Sequence, residues 1–144
     1  MGSRLFEEIR EKRGLCYSVS AAPHALADAS ILQLSSGLDS AKCIEAYRRM
    51  REIVDELREQ GPTDEEVERS RAYAAGRTVL AFENSSAVAS TVARHWVVFD
   101  EPVMPEMLLA DLDAVSVDAV RAVAAGISEQ LAVACVGPHS AEEF

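Results

Sequence analysis

From Ser3 to Arg13 the apolar positions Leu5, Phe6 and Ile9 recur at helical spacing among charged neighbours, which predicts a short amphipathic helix. Arg4–Glu8 and Glu8–Lys12 stand four residues apart on its wet side, where opposite charges support a helix. Gly14 is a natural stop, since glycine accepts positive φ without steric cost. Tyr17 to Ala22 then reads as a strand ended by Pro23. A second strand is predicted over Ala29 to Gly37, with Ile31, Leu32 and Leu34 as its apolar content and Gly37-Leu38-Asp39-Ser40 as the break. Two strands this close in sequence predict an antiparallel pair.

The clearest periodic element follows, from Ser40 to Gln60. Ile44, Tyr47, Met50, Val54 and Leu57 recur at three- and four-residue steps, with Asp39 or Ser40 as the cap. Gly61-Pro62 stops it, and Thr63 with Glu66 is spaced as a capping box for the next helix. That helix extends past Ala81, breaks near Asn84-Ser85-Ser86 and resumes to about Val98. Further helices are predicted at Pro105 to Ala110 and from the Ser116 cap to Ile127. Leu131 to Val136 reads as a short strand ended by Gly137-Pro138. Runs of like elements argue for an α+β fold, with helices packed on one face of a small, mostly antiparallel sheet. Three strands are few for five or so helices, so either other chain completes the sheet or residues 1–144 form one partial domain.

Composition narrows the functional classes. The chain has 144 residues, 49% of them hydrophobic and 26% charged, which suits one soluble globular domain. A net charge of −10 argues against nucleic acid, whose phosphates would repel it. No apolar run approaches the roughly 20 residues needed to span a bilayer, so no membrane partner is expected. The charged stretch from Arg4 to Arg13 also argues against a basic-then-apolar leader. Cys16, Cys43 and Cys135 are odd in number and far apart, as in a cytoplasmic protein with reduced thiols.

Candidate chemistry is sparse. His24, His95 and His139 lie in unrelated contexts without a second ligand at helical spacing, so no metal is expected on this chain. No Gly-x-Ser-x-Gly elbow occurs. Cys16 is near several cations, but it reads first as a small apolar filler at a strand start. Arg10 and Tyr17 remain. Arg10 stands in the last turn of the first helix, four residues after Phe6, and Tyr17 stands at the start of the strand. The Gly14 turn can aim both into one space, where a guanidinium beside a phenol would form a carbonyl or oxyanion clamp. Arg10 reads equally well as a cation complementing the helix dipole, and Tyr17 as an ordinary strand aromatic.

The run Ser3-Arg4-Leu5-Phe6-Glu7-Glu8-Ile9-Arg10-Glu11-Lys12-Arg13-Gly14-Leu15-Cys16-Tyr17-Ser18-Val19 resembles the carboxy-terminal homologous domain of the pitrilysin/insulinase-type zinc peptidases, the group that includes mitochondrial processing peptidase. The likeness extends more loosely over nearly the whole chain. It includes Gly61-Pro62-Thr63-Asp64-Glu65-Glu66 at the turn into a long helix, Val115 to Val120 at the final helix start, and Val136-Gly137-Pro138 after the last strand.

The resemblance implies an α+β domain that closes over a separate half bearing the zinc on a His-x-x-Glu-His helix. By matching position, Arg10 and Tyr17 are the pair that reaches across the cleft to the substrate carbonyl. It implies that zinc belongs to the parent enzyme's other half and that this chain carries no cofactor. The partners implied are a peptide substrate and the zinc-binding half or subunit. Strands and a helix that normally precede this run are not in the sequence, so the chain looks like a fragment, inactive alone, with a sheet edge open to self-association. The function expected is the substrate-clamping part of a zinc metalloendopeptidase. The alternative is a non-catalytic homologous subunit or scaffold acting with a zinc-bearing partner.

Overall fold

The computed structural model describes residues 2–25 and 28–144. They fall into two compact units, residues 1–59 with 127–144, and residues 60–126.

In the first unit a π-helix, Phe6–Glu11, leads into the antiparallel strands β1 (Cys16–Ala25) and β2 (Ser30–Leu38). A single 3₁₀ turn, Ser40–Lys42, opens α1 (Cys43–Gln60), and the Asp39 carboxylate caps it by accepting from the Ala41 N–H at 2.9 Å. The core lies between one face of the hairpin and these helices. Leu5, Ile9, Leu15, Ala46 and Ile53 are buried there, with Val19, Leu34, Leu38 and Met50 packed against them. Ile9 is fully enclosed. The α+β layout, helices on one face of a small antiparallel sheet, is the one the hydrophobic pattern predicts.

Three local expectations differ. The first helix is wound as π rather than α: Lys12 N–H donates to Glu7 O at 2.9 Å, five residues back, and Leu15 N–H to Ile9 O at 2.9 Å. Widening this turn lets Leu5, Ile9 and Leu15 all reach the core, so packing overrides the α-helical period. On α1 the buried positions are Ala46, Ile53 and Val54, and Ile44, Tyr47 and Leu57 are only half-buried. Leu131 to Val136, predicted as a strand, is irregular and exposed. An apolar run becomes a strand only where a sheet edge takes up its backbone groups, and among the described residues the sheet has two strands, neither of them paired with this run.

The second unit is all helix: α2 (Asp64–Ala81), α3 (Ser85–Phe99), α4 (Pro105–Ala114) and α5 (Val117–Ala125). The predicted capping box is present. Glu66 N–H donates to Thr63 Oγ1 at 3.2 Å, and Thr63 N–H donates to Glu66 Oε2 at 2.8 Å. The predicted break also falls in place, with Asn84 Oδ1 accepting from Ala87 N–H at 3.0 Å to cap α3. Arg71 donates to Asp113 O at 3.3 Å and to Val115 O at 3.2 Å, satisfying carbonyls at the end of α4. Gly61 turns the chain with φ of 70°, close against the stem of Arg121.

Candidate functional site

Arg10 and Tyr17 are carried by two different elements of the first unit, and three local features bring them together. The first is the π turn, which ends on Gly14 at φ of 58°. That left-handed conformation is the reason for a glycine there, because the space around it is open. The second is Lys42, whose ammonium donates to Gly14 O at 2.8 Å and ties the turn to the start of α1. The third is a β-bulge. Cys16 pairs with Leu38 and Ser18 with Gly37, so Tyr17 is an extra residue with no partner on β2.

The bulge decides where Tyr17 points. Strict alternation along β1 would put Tyr17 on the same face as Val19, toward the core. The inserted residue breaks that parity. Cys16 and Val19, three apart, both pack on the core, and Tyr17 is turned out with 85% of its surface exposed. A Cβ on Gly37, opposite the bulge, would sit 3.0 Å from Ser18 Oγ, a tight approach to which that hydroxyl would have to yield.

The Arg10 guanidinium carbon lies 6.0 Å from the centre of the Tyr17 ring and 5.0 Å from that of Phe6. Both distances are within cation–π range, which orients the fork without spending its N–H donors. Among the described residues, no ion pair or hydrogen bond occupies the Arg10 or Tyr17 head groups, which therefore stay available for a ligand's oxygen. Tyr17, with Gly14, Leu15, Gly37, Asp39 and Lys42, lines a shallow depression of about 360 Å³ that Arg10 does not border.

The charges around the π turn are organised by Glu8. Its carboxylate accepts from Lys12 Nζ at 2.6 Å and from Arg49 at 3.4 Å. The Lys12 hydrogen bond, with the charge of Arg49 behind it, holds the Glu8 carboxyl below its ordinary pKa, and Glu8 in turn raises that of Lys12. Arg49 also binds Glu52 and Glu56 on its own helix, each at 2.9 Å, and its contact with Glu8 joins α1 to the π-helix.

Cys16 is half-buried against the core, as a small filler would be. His95 contacts Glu101 O through Nδ1 at 3.1 Å, and His139 contacts Glu143 at 3.2 Å. Among the described residues, no three His, Cys, Asp or Glu side chains converge as a metal site.

Residues 1–73 match the family described as "Peptidase M16 inactive domain". The chain belongs to this family. The pitrilysin-type resemblance of the segment around Arg10 and Tyr17 points to the same group. Among curated relatives, an uncharacterized zinc protease of Streptomyces coelicolor is 32% identical over 139 residues, covering 96% of this chain and 30% of that protein. One from Mycobacterium tuberculosis is 29% identical over 143 residues, covering 99% of this chain and 33% of its own length. Another, from Bacillus subtilis, is 25% identical over 139 residues, covering 96% and 34%. This inactive peptidase domain thus spans about a third of the length of the relatives it matches.

Sequence reasoning singled out Arg10, Tyr17 and the Gly14 turn between them, but missed the bulge and the Lys42 tie. The bulge had one signal, the two core-facing residues Cys16 and Val19 at odd spacing. Lys42 had none, because its contact with Gly14 spans 28 residues.

Proposed function

We propose that this chain is the substrate-clamping part of a zinc-dependent metalloendopeptidase that acts on peptides or unfolded segments. One observation carries the reading: the Arg10 guanidinium stands 6.0 Å from the ring of an outward-turned Tyr17, on a rim built by a bulge and a π turn. Two donors of this kind suit a peptide carbonyl oxygen as it gains negative charge. Arg10 would hold the oxygen by charge and direction, and the Tyr17 hydroxyl would donate to it. The partners are a peptide substrate, the zinc-bearing half or subunit of the same enzyme, and a second copy of this chain. The cofactor belongs to that other half.

The test uses the full-length protein. Tyr17→Phe should lower kcat about 10²-fold, the cost of one oxyanion donor, with KM little changed because the lost bond is strongest in the transition state. Arg10→Ala should lower kcat/KM at least as far. Unchanged turnover in both variants, with the fold intact by circular dichroism, would end the clamp reading. It would favour the non-catalytic subunit or scaffold instead.

A further inference from the structure

Outside the Arg10–Tyr17 rim, one pair of nucleophilic side chains meets that no sequence pattern links. Cys43 Sγ and Cys135 Sγ lie 3.8 Å apart across a separation of 92 residues. Cys43 opens α1, and Cys135 sits on the irregular, exposed segment that follows the second unit in sequence. The approach does not depend on the sulfurs alone. The same segment is held to α1 by Arg51, which donates to Glu129 O at 3.2 Å, and by the edge-on contact of Phe144 with Tyr47 at 5.4 Å.

We propose that Cys43 and Cys135 form a reversible disulfide that pins the 127–144 segment to the start of α1, with a small-molecule disulfide as the oxidant. A protein disulfide needs sulfurs about 2.05 Å apart, so bonding has to close the present 3.8 Å gap between the two thiols. The exposed Cys135 is the point of entry. As thiolate it attacks one sulfur of the small disulfide, whose S–S bond breaks, and one small thiolate leaves with the electron pair. Cys43 then loses its proton and attacks Cys135 Sγ. The mixed disulfide breaks and the second small thiolate leaves. Two protein thiols are oxidised, one small disulfide is reduced to two thiols, and these take up the two protons released. Burial first, then the contact with Cys135 and the charge of Glu143, keep the Cys43 thiol above its ordinary pKa. It therefore suits the second, intramolecular step better than the first. Cys16 packs against the core and takes no part.

The experiment incubates the 144-residue chain with oxidised glutathione, then alkylates the remaining thiols in denaturant. Intact mass and a non-reducing peptide map are read. The expected product is a single chain lacking two hydrogen atoms, alkylated once at Cys16, with the Cys43 and Cys135 peptides joined. In Cys43→Ser the glutathione should remain as an adduct on Cys135, because the resolving thiol is gone. In the unfolded chain the shorter Cys16–Cys43 loop closes at lower entropic cost, so oxidation in concentrated urea should favour that pairing. Three results would overturn the proposal: Cys16–Cys43 as the main link in buffer, glutathione retained on all three cysteines of the native chain, or disulfides only between chains.

Discussion

Tyr17 shows how one residue's placement depends on a neighbour's register. Its aromatic ring would suit the core, and only the extra residue in β1 turns it to solvent beside Arg10. Glu8, on the same turn, has a different role. It joins Lys12 and Arg49, and so ties the π-helix that carries Arg10 to α1. Its pKa is lowered by folding, so ionised Glu8 stabilises the native chain. That contribution is fully present above the unfolded value of about 4.5 and is lost as the pH falls through the lower folded value. Glu8→Gln should therefore lower the melting temperature at pH 7, and the gap from the parent should close in the acid range below pH 4. A gap that stayed constant down to pH 2 would show that the carboxylate charge is not what Glu8 contributes.

At the scale of elements, local signals succeeded where a helix end carries its own chemistry. The Thr63–Glu66 box, the Asn84 cap and the Ser116 cap each satisfy N–H groups that no helical carbonyl can reach. Thr63→Ala should cost about 1 kcal/mol in urea unfolding of the chain, since it removes the acceptor for Glu66 N–H and half of the reciprocal pair. An unchanged midpoint and slope would mean that Thr63 does not cap α2 in solution. The π turn had no such local signature. Its sequence, Phe6 to Glu11, has the composition of an ordinary amphipathic helix, and only the demand to bury Leu5, Ile9 and Leu15 together widens it. π turns recur at functional sites, and this one carries Arg10.

At the scale of the whole molecule, two features bear on association. Neither long edge of the β1–β2 hairpin carries a third strand among the described residues, and unpaired edges recruit other strands. In the second unit, Val97 and Phe99 of α3 are 84% and 63% exposed, an apolar surface that water disfavours. The charge of −10 opposes association, but salt screens such repulsion beyond about 8 Å under physiological conditions. Light scattering at micromolar concentration should therefore give the mass of a dimer or larger species. A clean value of 15.6 kDa, one chain, would refute this.

The sequence by itself determined the order of the helices and of the first two strands, the helix caps and the Gly14 turn. All of these are written in contacts between residues a few positions apart. The motif around Arg10 and Tyr17 also carried the family. Tertiary structure decided the rest. Leu131 to Val136 failed to become a strand because no sheet edge takes up its backbone groups. The bulge at Tyr17 is set by the pairing of Cys16 with Leu38, the Gly14 turn is tied by Lys42, and Cys43 meets Cys135 across 92 residues. Each joins positions whose approach depends on how the core closes, and residue types along the chain do not encode that distance.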